Sequence, residues 1–418
     1  MAHFAEPGIT ALCGHDSSSG CPSMDATKEI YLDYAAATPV APSVLRAMLP
    51  YMSDMFYNPS APYRLARKAK ADYEEARSRL AHEIGAKPDN LIICAGATEA
   101  NNLAINSAEG RVLVLATEHE SVLAAAEAKD HALIPVHRDG RVDMETLEKL
   151  LTPEVGLISI SLANGEIGTI QPIRDIAKLV AERRQSRLAA GGKMPLWLHT
   201  DASQAVNALA INVASLHVDM LTLSAAKIYG PKQVGLLWAE DGIAIKPLLQ
   251  GGGQEGGVRS GTENVAGAVG FACALEEATA HRAQEAKREQ KLRDRLQKEL
   301  LERFPWAEVE GPKKAKLRLP GLLHISFPGL EARRLVILLE DRGVSVGTGS
   351  ACAASRMRES HVLEAIGAAP AVADGSLRIT LGAPVTEEDI EEAAARIGNA
   401  VEEEARRRGL DPRTGKAA

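Results

Sequence analysis

The sequence lacks the features that mark membrane-bound and secreted proteins. It contains no run of about 18 consecutive apolar residues, and no basic segment followed by an apolar stretch near its first residue. Long blocks of like charge are also missing, because acidic and basic residues are interspersed around a net charge of −7. We therefore expect a cytoplasmic protein with neither a nucleic acid nor a membrane as its partner, and small-molecule chemistry is the first hypothesis.

Cysteine is scarce as well. The cysteines of this 418-residue chain are odd in number and widely spaced, which argues against a disulfide scaffold: Cys13, Cys21, Cys94, Cys273 and Cys352. Cys94 and Cys273 lie in apolar or alanine-rich stretches and are predicted to be small core residues. Cys13, Cys21 and the intervening His15 offer three metal ligands without a fourth or a regular spacing, so we predict no metal site.

The order of apolar and helical patterns predicts an α/β fold. Residues 1–28, rich in Gly, Ser and Pro, are predicted to form a mobile extension. Short apolar runs then alternate with helical patterns, and they predict strands at residues 91–93, 111–116, 156–161, 196–200, 220–223 and 234–238. Such runs are typical of strands that helices cover on both faces, with functional groups at the strand carboxyl ends.

A smaller α+β region is predicted in the last third of the chain. A charged helical pattern covers residues 281–304, and the strand-like segments GLLHISFPG, VSVGTGSA and SLRITLG follow it. We predict a large domain over residues 37–281 and a small domain built from residues 29–36 plus 282–418. The final residues, EEEARRRGLDPRTGKAA, are predicted to fray because they are highly polar.

Two residues at predicted strand ends are suited to binding pyridoxal phosphate (PLP). Lys227, in SAAKIYGPK, follows one strand and could serve as an amine nucleophile for a Schiff base, although a lone lysine is more often a surface residue. Asp201, in HTDASQ, ends another strand and could pair with the pyridine nitrogen, although a lone aspartate is more often a helix N-cap. The spacing of the two residues favours the functional interpretation.

Other chemically capable residues lie in similar positions. Ala97 and Thr98, in GATEANN, open a helical pattern and could bind a phosphate, while His119, in TEHES, could stack on a cofactor or simply cap a helix. Cys352 lies in GTGSACAAS, a Gly- and Ser-rich segment that we predict to be mobile enough for a reactive thiol. Arg378, in SLRITLG, could bind a substrate carboxylate or form an ordinary ion pair.

In combination these segments resemble the cysteine desulfurases of the NifS/IscS type, class V of the fold-type I PLP enzymes. The resemblance covers about residues 30–400 and rests on ordered motifs: YLDYAAATPV, NPS, GATEANN, TEHES, ANGEIGTIQPI, TDASQ, SAAKIYGPK, GGGQEGGVRSGTEN, GTGSACAAS and SLRITLG. It implies a mainly parallel seven-stranded sheet sandwiched by helices, with a smaller α+β domain.

The resemblance also implies roles for the matching residues. Lys227 would bind PLP, and Asp201 would pair with its pyridine nitrogen. The other cofactor contacts would come from Gln204, His119, Ala97, Thr98, Ser224 and, from the partner chain of a homodimer, Thr262. L-cysteine would become L-alanine, leaving a persulfide on Cys352. An acceptor protein would take that sulfur for iron–sulfur cluster assembly or a thiolation pathway.

The sequence departs from the family pattern at three places. Ala226 stands where a phosphate-binding histidine is usual, and Gly165 replaces the second asparagine of Asn-Asn-Glu, so Asn164 could compensate in substrate binding. The usual Ser-Ser-x-His is altered to Ser-Ala-Pro-Tyr at residues 60–63. Two alternatives therefore stay open: a selenocysteine lyase or other class V lyase or aminotransferase, and a weakly active sulfur-relay component.

Overall fold

A central seven-stranded sheet organises the larger part of the molecule. The computed structural model describes residues 28–348 and 360–418. The strands are Ile30–Tyr31 (β1), Leu91–Cys94 (β2), Arg111–Leu115 (β3), His131–Ile134 (β4), Val155–Ser159 (β5), Trp197–Asp201 (β6), Met220–Ser224 (β7), Gly235–Ala239 (β8), Glu308–Val309 (β9), Leu322–Ser326 (β10), Val344–Ser345 (β11) and Ser376–Thr380 (β12). The large sheet has the order β2-β8-β7-β6-β5-β3-β4, and only β8 runs against its neighbours. The predicted, mainly parallel α/β sheet is confirmed.

Helices cover both faces of this sheet. The α-helices are Pro42–Met48 (α1), Pro50–Ser53 (α2), Arg64–Ile84 (α3), Ala97–Ser107 (α4), Glu120–Glu127 (α5), Met144–Leu150 (α6), Ile173–Ala189 (α7), Val213–Leu216 (α8), Val265–Arg303 (α9), Ala332–Glu340 (α10), His361–Ala365 (α11), Pro370–Asp374 (α12) and Glu387–Arg407 (α13). Along β3, Leu113 and Leu115 enter one apolar core, while Val112 and Val114 enter the other. Because both faces are buried, the strands are apolar at almost every position, which explains the runs in the sequence.

A second, smaller core lies beyond the main sheet. Strands β9, β10 and β12 form an antiparallel sheet, and β1 pairs in parallel with β11. Helix α9 belongs to both regions: Phe271 packs into a core of the main sheet, and Leu296 packs into the smaller core together with Leu32. The predicted boundary near residue 281 falls within this helix, and the division into two domains stays a prediction.

Some predicted elements were incomplete or wrong. Strand β4 was missed, and α9 begins at Val265 rather than near residue 281. The prediction that the C-terminal residues fray was wrong, because Glu404 is fully buried, Leu410 packs against the smaller core, and Trp306 Nε1 donates to Pro412 O at 2.8 Å. Among the residues that the structure describes, no helix is both long and apolar enough to cross a bilayer.

Candidate active site

The predicted site residues meet at one edge of the main sheet. Strands β2, β3, β5, β6 and β7 all end at this edge, since β8 alone is reversed. Thr98 follows β2, His119 follows β3 and Asn164 follows β5. Asp201 ends β6, and Lys227 follows β7. Residues that are up to 129 positions apart, Thr98 and Lys227, therefore line one cleft, as expected for the carboxyl edge of a parallel sheet.

The Lys227 amine is positioned by backbone carbonyl groups from the start of the chain. Lys227 ends a short 3₁₀ turn after β7, and its Nζ donates to Ala35 O at 2.8 Å and to Ala36 O at 2.7 Å. Thr38 secures the same segment by donating from Oγ1 to Ala226 O at 3.1 Å. The segment that follows β1 thus closes one side of the cleft and fixes the amine within it.

Two N–H donors fix the Asp201 carboxylate. Asn101 Nδ2 donates to Asp201 Oδ2 at 2.8 Å, and Ser203 N donates to Asp201 Oδ1 at 2.9 Å. Asn101 is fully buried on α4 and also donates to Ser121 Oγ at 3.0 Å. Sequence reasoning missed this residue, although it lies in the GATEANN motif and one turn beyond Thr98. It holds the carboxylate in one orientation toward the cleft.

His119 presents a neutral ring to the cleft. Its Nδ1 accepts a hydrogen bond from Ser121 N at 3.1 Å, so His119 caps α5 and the neutral ring carries its proton on Nε2. The surrounding protein lowers the pKa of the ring below its usual range, and the nearby Asp201 carboxylate opposes this only in part. The capping and the functional interpretations of this residue are therefore compatible.

The residue before His119 in the sequence, Glu118, carries a buried carboxyl group. Glu118 accepts hydrogen bonds from Ser161 N at 2.7 Å and from the Ser161 hydroxyl. Burial raises the pKa of Glu118 to about 8. His361, the first residue of α11, places Nε2 2.9 Å from Glu118 O and so attaches that helix to the wall of the site.

An open anion site lies at the start of α4. Gly96 has φ +127°, and a Cβ added to it would meet no atom within 4 Å, so the space over the first amides of α4 is free. A Cβ on Gly235 of β8 would instead lie 2.7 Å from Gly96 Cα, so glycine is needed there for the turn to rest on the sheet. The Ser224 hydroxyl makes no hydrogen bond within the described ranges and can donate to an anion. Ala226 offers no side-chain donor, as the sequence indicates.

Arg378 lies on β12, and one N–H group of its guanidinium has no acceptor among the described residues. Nη2 pairs with Asp33 Oδ1 at 2.8 Å, and Nη1 is 3.3 Å from Gly165 O. Its Nε is buried and has no acceptor among the described residues. A buried donor without a partner costs free energy, which a bound carboxylate would recover. Arg378 also forms the ordinary ion pair that the sequence allowed, and its partner is Asp33.

Asn164 is engaged by the backbone of its own loop. Its Nδ2 donates to Thr117 O at 2.9 Å, and its Oδ1 accepts from the amides of Glu166 and Ile167 at 2.8 and 2.9 Å. A contact with substrate would require breaking these bonds. Its substrate-binding role stays a prediction, while its observed role is to shape the loop that leads into Gly165.

The described residues do not place two of the predicted positions in the cleft of a single chain. Thr262 is exposed in the glycine-rich segment before α9, and its contact with the phosphate of a partner's site stays a prediction. Cys352, together with Cys13 and Cys21, lies outside the described residues. Cys94 is buried in the core, which raises its pKa to about 12 and confirms the prediction for this residue. Cys273 is only half-buried and packs against the edge of the core, so the prediction of a core position was only partly right for it.

The side chains of the cleft match the chemical groups of PLP. An amine at Lys227, a carboxylate at Asp201, a neutral ring at His119 and an open helix N-terminus beside Ser224 correspond to the aldehyde, pyridine nitrogen, ring face and phosphate. The uncommitted Nε of Arg378 adds a position for a substrate carboxylate. Fold and site together define a fold-type I PLP enzyme.

The comparisons with known proteins agree with this class. The family model described as aminotransferase class-V matches residues 30–392, and the chain belongs to this family, whose members depend on PLP. It is 40% identical over 375 residues to a protein named cysteine desulfurase IscS from Dictyoglomus turgidum, covering 87% of this chain and 92% of the relative.

Solved structures show the same fold. A structure described as a NifS-like protein has a TM-score of 0.81 and 31% identity, with coverage of 88% of this chain and 98% of the other. A structure described as SspA in complex with cysteine has a TM-score of 0.72 and 33% identity, with coverage of 84% and 98%.

Proposed function

We propose that this protein is a PLP-dependent cysteine desulfurase that converts L-cysteine to L-alanine, holds the sulfur as a persulfide on Cys352 and passes it to an acceptor protein. The observation that carries the proposal is the convergence of Lys227, Asp201 and Arg378 on one cleft. The names of the relatives and the cysteine complex of SspA support the choice of substrate. The acceptor, its pathway and a cytoplasmic location stay predictions from the sequence.

Each of these side chains of the cleft has a different role in the proposed reaction. Bound PLP supplies an electron sink for the bonds at the substrate Cα and Cβ. Lys227 would hold the cofactor through its amine, and the same amine would move a proton at the substrate Cα. Asp201, fixed by Asn101, stabilises positive charge on the pyridine nitrogen. Arg378 binds the substrate carboxylate through Nε and Nη, which orients the Cα–H bond toward Lys227.

Cys352 completes the reaction in this proposal. Its thiolate attacks the substrate sulfur, an S–S bond forms, and the electron pair of the broken C–S bond stays with the substrate carbon, which a proton then converts to alanine. In the sequence Cys352 follows five positions after Gly347, the residue near the end of the described segment. Gly347 exchanges backbone hydrogen bonds of 3.0 and 2.7 Å with Arg378, which supports delivery of the thiol to the substrate site.

We also propose a homodimer in which Thr262 reaches the phosphate of the partner's site. Helices α1 and α2 expose an apolar face at Leu45, Leu49 and Met52, which are 53%, 49% and 67% exposed, and Phe56 beside them is 68% exposed. Large apolar side chains grouped in this way mark interaction surfaces. Ser60 Oγ lies 3.4 Å from Glu263, so this face is close to the segment that carries Thr262.

The test is the release of alanine and sulfide from L-cysteine with a thiol reductant, while the absorbance of bound PLP is recorded. Wild type should be active, Lys227→Ala should lose both activity and the cofactor band, and Cys352→Ala should lose activity but keep the band. Cys273→Ala, at a half-buried cysteine of α9, is the matched control and should resemble wild type. Alanine formation that persists in Cys352→Ala would instead favour a lyase without a persulfide.

A further inference from the structure

A charged cleft outside the active site has no role in the proposed reaction. It has a volume of about 890 Å³ and lies between the turn at residues 137–141, which follows β4, and the segment at residues 307–318. Its basic lining residues outnumber the acidic ones, although the whole chain is acidic: Arg138, Arg141, Lys313, Lys314 and Arg318. Its volume lies within the range of small-molecule sites, roughly 300–1000 Å³.

Two arginines of this cleft have unsatisfied donors. Arg318 is 5% exposed, and its buried Nε has no acceptor within the described ranges, while Nη2 donates to Gln297 Oε1 at 3.0 Å. The Arg141 side chain, which lines the cleft from the other side, makes no hydrogen bond or ion pair in the part of the chain that the structure describes, and its Nε is buried. Both guanidinium groups therefore keep N–H donors from which an oxyanion could accept hydrogen bonds.

Positive charge near Arg318 is incompletely balanced. The fully buried Arg293 and Arg318 both approach the single carboxylate of Asp294, at 2.8 and 3.9 Å. Burial and the charge of Arg293 lower the pKa of Arg318 to about 10. An anion in the cleft would stabilise this charge, because attraction between opposite charges is strong where water is excluded.

The acidic residues of the cleft do not balance the charge of Arg318 or Arg141. Glu310 is paired bidentately with Arg138, and Asp139 accepts a hydrogen bond from Arg141 N at 3.1 Å. Glu308 is exposed at the rim. None of the three contacts Arg318 or the Arg141 guanidinium among the described residues.

The cleft is preformed by hydrogen bonds from both of its walls to residues 168–170. Thr169 Oγ1 donates to Asp139 O at 2.7 Å, and Ile170 N donates to Leu317 O at 2.9 Å, so this segment joins the two walls. Leu319 N donates to Gly168 O at 2.8 Å as well. A ligand would therefore bind without first ordering the site, which lowers the entropic cost of binding.

We propose that this cleft binds a small molecule carrying at least two oxyanion groups, held between Arg141 on one wall and Arg318 on the other. Bidentate guanidinium contacts recognise phosphate and carboxylate groups alike, so the shared chemistry is the oxyanion pair. Lys313 and Lys314 at the rim add attraction without fixed geometry. The site is separate from the PLP cleft and does not depend on the proposed reaction.

Titration calorimetry on the full-length, PLP-loaded enzyme at low ionic strength tests this, with inorganic pyrophosphate and citrate as the two probes. The absorbance of bound PLP is followed in parallel to show that neither probe displaces the cofactor phosphate. We expect saturable binding at one site per chain. Tighter binding of pyrophosphate would assign the phosphate class of ligand, and tighter binding of citrate would assign the polycarboxylate class.

Variants locate the bound probe. Arg141→Gln and Arg318→Gln should each weaken binding about tenfold or more, since each removes a charge-assisted contact. Lys193→Gln, which removes an exposed charge before β6 at the opposite edge of the sheet, should bind as wild type does. If Arg318→Gln fails to fold, Arg141→Gln decides the question. Absence of saturable binding in wild type, or unchanged binding in Arg141→Gln, would overturn the proposal.

Discussion

The side chain of Gln204 occupies the space that a side chain at position 165 would need. A Cβ added to Gly165 would lie 2.9 Å from both Cγ and Cδ of Gln204. Gln204 is held in this position because its Nε2 donates to Ala35 O at 3.0 Å. Gly165 stands where the family has an asparagine, and the observed position of the Gln204 side chain depends on that glycine.

The coupling predicts a non-additive pair of substitutions. Gly165→Ala should lower the free energy of unfolding by about 1–2 kcal/mol, because Gln204 must shift and give up its hydrogen bond to Ala35. In a Gln204→Ala background the same change should cost little, since the conflicting atoms are gone. Chemical denaturation of the four proteins measures both values. An equal cost in the two backgrounds would show that the residues are independent.

Asn101 should control how well the enzyme retains PLP. Asn101→Ala removes the donor to Asp201 Oδ2, and because hydrogen bonds to a charged group contribute about 1.5–3 kcal/mol, the dissociation constant of PLP should rise at least tenfold. Asn102→Ala is the matched control, since among the described residues Asn102 donates to the backbone oxygens of Thr98 and Ser121 and not to Asp201. Cofactor titration of the apoenzyme checks both. Similar affinities for the two variants would argue against a role for Asn101.

How far the sequence predicts this site depends on where each contact comes from. Lys227, Asp201 and His119 could be found because each follows an apolar run that had to be a strand. The contact of Lys227 with Ala35 could not, because it joins segments 192 positions apart through backbone atoms that leave no trace in side-chain patterns. Asn101 was missed for a related reason: its partner, Asp201, lies 100 positions further along the chain.

The same limits apply to the fold. Strand β4 was missed because it is a partly exposed edge strand of the sheet and lacks a continuous buried run. The first half of α9, from Val265, is rich in Ala and Gly and so shows no amphipathic stripe. The polar C-terminal residues were expected to fray, but Leu410 and the carbonyl of Pro412 give them contacts with Trp306 and the smaller core.

Stability should depend on pH through Glu118. Burial raises its pKa from 4.5 to about 8, so between these values the folded protein binds a proton that the unfolded chain does not, and the contribution of Glu118 to the free energy of unfolding falls as pH rises. Glu118→Gln removes this contribution, so between pH about 5 and about 8 the stability of the variant should fall less with rising pH than that of wild type. Part of the slope will remain, since burial also raises the pKa of Glu289 to about 8.

The neighbouring Glu120 provides the control. Glu120→Gln changes a less buried carboxylate at the start of α5 and should leave the pH dependence of unfolding as it is in wild type. Denaturant unfolding across the pH range gives the profiles. If Glu118→Gln and wild type show the same slope, Glu118 is not the group that titrates.

If the proposed dimer is right, one substitution in its interface should weaken both dimer formation and PLP binding. Met52→Glu places a charge in the apolar face of α1 and α2, so the protein should become monomeric in sedimentation experiments and bind PLP more weakly, because Thr262 no longer arrives from a partner. Leu188→Glu is the matched control, because Leu188 is an exposed apolar residue as well, at 77%, and lies at the end of α7 away from this face. A Met52→Glu protein that remains dimeric would exclude this face as the interface.

Arg378 should determine the affinity for substrate rather than for cofactor. Arg378→Lys keeps a positive charge beside Asp33 but removes the guanidinium fork, so a carboxylate loses its bidentate contact and KM for cysteine should rise roughly ten- to hundredfold. PLP binding should change less than twofold, because no cofactor contact is assigned to this residue. Arg295→Lys, at a surface ion pair on α9, is the control. Because Arg378 also pairs through its backbone with Gly347, a fall in kcat at unchanged KM would point to the Cys352 segment instead of the substrate carboxylate.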